Sequence, residues 1–203
     1  MKSDLIISFK TEVSKEDINE AVSLLNELEV IDDDFVPEVK FSRDAFCGDW
    51  TEYKDTGLNT RDWILLRDAE SNYSYTNGKP KFYKARLFDK YLQKDIVYTT
   101  GETDESKKAE VDHIVSLSNA YKCGAWKWKE RCDKWRKLTN ELVNLIAVSA
   151  AVNNEKSDKD ASEWLPVSAF QKRFITLQIF VKYLYELSVT KSEKETMLRV
   201  LKS

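Results

Sequence analysis

The sequence predicts an α+β fold, in which a small antiparallel sheet and a buried hairpin sit among amphipathic helices. Three observations lead there. Two β-like runs, 82–87 and 96–99, follow the tight-turn pair Asn77-Gly78. Two more strand-like stretches, 109–117 and 142–152, are separated by helical sequence. Helical periodicity recurs near both ends of the chain, at 15–29 and at about 168–187.

Each element has its own signal. Ser14 and Asp17 precede a run in which Ile18, Val22, Leu25 and Leu28 share one face, so 15–29 reads as a capped amphipathic helix. Residues 31–37 (IDDDFVP) read as a linker. Residues 41–68 are aromatic and turn-rich and end in a short helix at about 60–68, and 101–107 (GETDESK) is a polar loop. Residues 118–141 read as helical, with Trp126, Trp128 and Trp135 among lysines and arginines. Residues 142–152 (LVNLIAVSAAV) read as a buried strand running into a turn, and 153–164 as a polar, helix-like stretch closed by Leu165-Pro166. Thr190 and Glu193 form a capping-box pair for a last helix. This suggests an accessory element at 1–40, carrying the first helix, and a main domain at 41–203.

Composition limits the function classes. The chain has 203 residues, 42% hydrophobic and 12% aromatic, enough for a sizeable core. Charged residues make up 33%, but the net charge is only −3, so no global polycation marks a nucleic-acid binder and any basic surface must be local. No apolar run reaches the roughly 18–20 residues of a membrane span. The first ten residues hold too short an apolar stretch for a secretory signal. Cys47, Cys123 and Cys132 form no C-x-x-C pair, and so odd and sparse a set favours inert packing residues in a reducing compartment. The expected location is therefore the cytoplasm, with a secreted mature form as the alternative.

The chain's single histidine, His113, follows Asp112 directly in a strand-like context. Asn144 lies in the next apolar run, and Asn153 opens the polar stretch NNEKSDKD. Phosphodiester hydrolysis needs a base that works near neutral pH, which imidazole supplies. It also needs stabilisation of charge on the phosphate and the leaving oxygen, which a divalent cation on hard oxygen ligands supplies. Asp112, His113, Asn144 and Asn153 match these needs by type. Neighbours on a strand face opposite ways, so Asp112 and His113 can serve one site only where the backbone twists or bulges. Plainer readings stand beside these. Asp112 can cap a turn, Asn144 can satisfy buried backbone, and Asn153 can cap a helix. Lys156 and Lys159 can be solvated surface charges, and Arg61 can pair with Asp68 or another acid. The stretch WKWKERCDKWR suits stacking on bases, but core packing is the better reading of its tryptophans.

The segment EVDHIVSLSNAYKCGAW, followed by NELVNLIAVSAAVNNEKSDKDASEWLP, resembles HNH (ββα-metal) nucleases with a D-H…N…N arrangement. These are found as secreted bacterial nucleases and as the cutting domain of modification-dependent restriction enzymes. FSRDAFCGDW, NTRDWILLRD and LSVTKSEKETM extend the resemblance over about 41–200. It implies a ββα-metal core, a hairpin and helix gripping one metal, surrounded by further helices and a small sheet. It implies an endonuclease acting on DNA, with RNA left open. Asp112 and Asn153 would be ligands of Mg²⁺ or Mn²⁺, His113 the general base, and Asn144 the brace of the loop carrying His113. Lys156, Lys159 and Arg61 would meet substrate phosphate. The chain departs from the family at Asn119, where relatives carry an acid, and near Leu58, where relatives carry a disulfide cysteine; the second again points to an intracellular protein. Residues 1–40 have no counterpart and leave room for a protein partner. The rival expectation is a non-cutting DNA- or protein-binding module that keeps the fold, against which the intact Asp112-His113 pair argues.

Overall fold

The computed structural model describes residues 12–42, 49–76, 79–99, 103–104, 107–128 and 131–203. Helices and short sheets alternate along it, as the α+β expectation requires. Helix α1 (Lys15–Glu27) begins with Ser14 and Asp17 in a reciprocal capping box. Strand β1 (Val30–Ile31) pairs in parallel with β7 (Val189–Thr190). Helix α2 (Thr60–Asp68) runs into β2 (Ala69–Thr76), which forms an antiparallel sheet with β3 (Lys79–Asp89) and β4 (Lys94–Thr99) in the order β2-β3-β4. The expected Asn77-Gly78 turn lies outside the described residues. Strand β2 carried no signal in sequence, because AESNYSYT is polar and lacks a continuous apolar face.

The second antiparallel pair builds the centre of the molecule. Strand β5 (Ala109–His113) pairs with β6 (Leu145–Ser149), with Asp112 opposite Ile146 and His113 opposite Leu145. Helix α5 (Ala150–Lys156) follows β6 directly, where the sequence reading expected a turn. Between the two strands the expected single helix is broken into α3 (Leu117–Lys122), a 3₁₀ turn at Ala125–Lys127 and α4 (Arg131–Thr139). Gly124 causes the break: its φ of 131° is accessible to glycine at no steric cost. The helix-like stretch after Asn153 likewise ends early, at Ser157 with φ 51°.

Helix α6 (Ser168–Leu184) is the central support. Its Phe170, Phe174, Ile175 and Leu177 pack with Leu24 and Leu25 of α1, with Ile146 and Val148 of β6, and with Met197 of α7 (Lys191–Lys202). Residues assigned to the accessory element thus share the core of the main body. A second cluster centres on Trp135, which is fully buried, with Trp126 and Trp128 packed against it. Cys132 is in a disulfide and Cys123 is free and buried. The first corrects the expectation that Cys132 is an inert packing residue and that the cysteines form no bridge. Among the described residues no helix is long and apolar enough to cross a membrane.

Candidate active site

Strand β5 ends at His113, and the chain leaves the sheet there under tight control. Ile114 N–H donates to the Asn144 carbonyl at 2.8 Å. The Asn144 side chain, fully buried, accepts from Val115 N–H at 2.7 Å and donates to the Val115 carbonyl at 3.2 Å. Gln178 of α6 donates to the Ile114 carbonyl at 2.9 Å. Four hydrogen bonds therefore fix residues 114–115 where β5 ends. Asp112 and His113, which would face opposite ways on a regular strand, line one cavity of about 220 Å³. Ser116, Asn153, Asn154 and Ser157 complete its polar wall.

Asp112 is 5% exposed and held at both oxygens. Tyr91 donates its hydroxyl to Oδ2 at 2.6 Å, and Lys156 donates Nζ to Oδ1 at 3.0 Å. Lys156 Nζ also donates to the His113 carbonyl at 2.8 Å, tying the Asp112 side chain to the backbone of the next residue. Burial pushes the Asp112 carboxyl up from its ordinary value, against the pull of the Lys156 ammonium and the Tyr91 hydroxyl. Burial and then the Asp112 charge raise the Tyr91 phenol well above its usual range, which keeps Tyr91 a hydrogen-bond donor.

His113 is 5% exposed, and its Nε2 lies 2.9 Å from the Thr139 carbonyl. A carbonyl only accepts, so Nε2 carries the hydrogen, and in the neutral ring Nδ1 carries the lone pair. Trp50 stacks on the imidazole with ring centres 5.5 Å apart and planes within 11°. Trp50 is itself clasped, because Asn140 accepts from Thr51 N–H at 2.9 Å and donates to the Asp49 carbonyl at 3.0 Å. The C-terminal end of α4 thus fixes the ring from two sides, through Thr139 and through Asn140.

Asn153 lies inside α5, whose N-cap residue is Ser149, so it is not a helix cap. Its amide nitrogen donates to Glu110 at 2.8 Å, which directs the amide oxygen the other way. The cavity therefore joins one carboxylate, Asp112, with the amides of Asn153 and Asn154, the hard oxygen donors a small divalent cation prefers. Among the described residues no group of three or more His, Cys, Asp or Glu gathers to hold a metal. A cation bound here would take two ligands from the chain and the rest from water or substrate.

The remaining expected residues lie elsewhere. Lys156, expected at substrate phosphate, is fully buried on Asp112 and does not line the cavity. Lys159 bends back to the Glu155 carbonyl. Arg61 pairs with Asp62 at 3.5 Å, not with Asp68, and does not line the cavity. Asp68 is bound by Arg67 at 2.7 Å and accepts from Ala147 N–H at 2.9 Å, while Arg67 also donates to the carbonyls of Leu142 and Leu145. This pair ties α2 to β6. Asp89 does the same for β3, accepting from Ser149 N–H at 2.8 Å. The sequence reading missed Tyr91, Glu110, Trp50 and Asn140. The N-T-R-D-W-I-L-L-R-D motif already held Arg67 and Asp68, but Tyr91 gave no sign beyond an aromatic in a turn.

Comparison with known proteins agrees over most of the chain. The family model for GmrSD restriction endonucleases, C-terminal domain, matches residues 59–200. A protein of Arthroderma benhamiae named "Uncharacterized secreted protein" is 32% identical over 168 residues, covering 81% of this chain and 76% of that protein. No solved structure matches.

Proposed function

Because the chain belongs to the family of GmrSD restriction endonuclease C-terminal domains, we propose that it is a DNA endonuclease of the HNH kind, with β5, β6 and α5 as its ββα-metal core. The observation that carries this reading is the cavity shared by Asp112, His113 and Asn153 at the end of β5. The family supports a nuclease; the ligand set, the base and the metal dependence are our reading of the geometry.

Asp112 and Asn153 are the residues that would hold a divalent cation, Mg²⁺ or Mn²⁺, through carboxylate and amide oxygen. When bound, that ion supplies a Lewis acid for the phosphate and for the leaving 3′ oxygen. His113 accepts a proton from water at Nδ1, while Thr139 holds Nε2–H and so fixes the tautomer. The new P–O bond forms in line with the P–O3′ bond that breaks, leaving a 5′ phosphate. Trp50 stacks on one face of the imidazole and so holds the plane of the ring. Asn144 braces residue 115, just beyond the Asp112-His113 pair.

The proposed location is an oxidising compartment, in place of the cytoplasm expected from the cysteine count. The disulfide at Cys132 is of a kind that persists outside reducing cytosol, and the Arthroderma benhamiae relative is named as secreted.

Supercoiled plasmid tests the reading. The protein should nick it in Mg²⁺ or Mn²⁺, stop in EDTA, and resume when the metal is restored. A folded protein that binds DNA and never cuts in any divalent metal would be the non-cutting module instead.

A further inference from the structure

Lys156 is unusual in its placement. It is a fully buried ammonium, within 3.0 Å of the carboxylate that faces the cavity, and it is anchored a second time on the His113 carbonyl. The donors assigned to the cation are therefore one carboxylate already neutralised by a lysine and one uncharged amide, Asn153. Glu110, which accepts from the Asn153 amide nitrogen at 2.8 Å, is the next carboxylate, and like Lys156 it is not among the lining residues. A dication entering such a set meets a carboxylate whose charge Lys156 already offsets, and an ammonium close by in a poorly solvated place, where like-charge repulsion is strong. A phosphodiester brings further negative charge.

Resting on the nuclease reading above, we propose that Lys156 is an internal counter-ion for Asp112 that makes cation binding depend on the phosphodiester. It is a positioning residue, acting through Asp112, and it couples metal and substrate in both directions, as any such linkage must. Free protein binds the cation weakly. The complex with DNA binds it tightly, so the water-activating site is assembled only on substrate.

Mn²⁺ binding followed by electron paramagnetic resonance tests this, in a His113→Ala background that leaves a short duplex DNA uncut, with the duplex's own Mn²⁺ binding subtracted. With Lys156 present, adding the duplex should tighten Mn²⁺ binding at least about tenfold. Lys156→Met should bind Mn²⁺ without DNA at least about tenfold more tightly than the parent and gain little from the duplex. Lys156→Arg, which keeps the charge, should behave as the parent. A purely structural lysine would weaken Mn²⁺ binding on removal, never strengthen it. Should Lys156→Met not fold, Lys156→Gln, which also removes the charge, makes the same comparison. Equal Mn²⁺ affinity with and without DNA in the parent overturns the counter-ion role and leaves the nuclease reading standing. No Mn²⁺ binding by any of the proteins, with DNA or without it, overturns both.

Discussion

Lys156 and Lys182 are both fully buried, and each binds a buried carboxylate, Asp112 at 3.0 Å and Glu193 at 2.7 Å. Their surroundings differ. Lys182 is enclosed by Glu193, the Ser188 carbonyl and Cys123, and it joins α6 to the capping box that starts α7. Asp112 borders a cavity with His113 and Asn153, and a tyrosine hydroxyl shares it with the lysine. A buried ion pair is therefore not evidence of function by itself. What separates the two is whether the carboxylate faces space that a ligand can enter.

The comparison can be broken by stability measurements. Lys182→Met leaves Glu193 buried without its cation and should cost about 3–5 kcal/mol in urea unfolding. Lys156→Met should cost clearly less, because Asp112 keeps the Tyr91 hydroxyl and faces a cavity that water can fill. Equal losses would show that both pairs are structural. Restoring stability to Lys182→Met with Glu193→Leu would confirm that the α6–α7 pair serves packing alone.

Asn144→Ala comes next in size. It strands the buried N–H and carbonyl of Val115 and should cost about 2–3 kcal/mol. Plasmid cleavage should fall by more than the loss of folded protein explains, since the brace just beyond His113 goes with it. Tyr91→Phe should cost about 1.5 kcal/mol, the value of one hydrogen bond to a charged group, and should lower the cleavage rate as well. A Tyr91→Phe protein that is destabilised but cuts at the full rate would remove Tyr91 from the site.

The smallest effect is on the outside of the α7 start. Asp33 accepts from the Ser192 backbone N–H at 3.0 Å and from its hydroxyl at 2.8 Å, and these two bonds, the backbone one first, hold its carboxyl below the ordinary value. A carboxyl lowered on folding stabilises the folded state above its unfolded pKa, and that gain disappears as pH falls through the folded one. Asp33→Asn should therefore lower Tm slightly at neutral pH and not at all in strong acid. A difference that survives in acid would mean that the charge on Asp33 is not what matters.

Local chemistry explains what could be read from sequence. The capping pairs Ser14/Asp17 and Thr190/Glu193 are three residues apart, so their partners are visible in the string. The residues Asp112, His113, Asn144 and Asn153 stood out by type and by family pattern. Their supports did not, because each crosses a long stretch of chain: Tyr91 to Asp112, Glu110 to Asn153, Thr139 to His113. No periodicity encodes such pairings. The burial of Lys156 was hidden for a related reason: a lysine in a polar run belongs on the surface unless a buried carboxylate awaits it, and that carboxylate lies 44 residues away. Cys132 shows the same limit, since three scattered cysteines give no hint of which is bridged.

The central claim is that His113 activates water in a site assembled at the end of β5. The most direct measurement is plasmid nicking by wild type and His113→Ala side by side in Mn²⁺, with the Tm of both recorded. His113→Ala should lose at least about a hundredfold in rate, the scale of a missing general base, with Tm close to wild type. Cutting by His113→Ala at the wild-type rate would contradict the account.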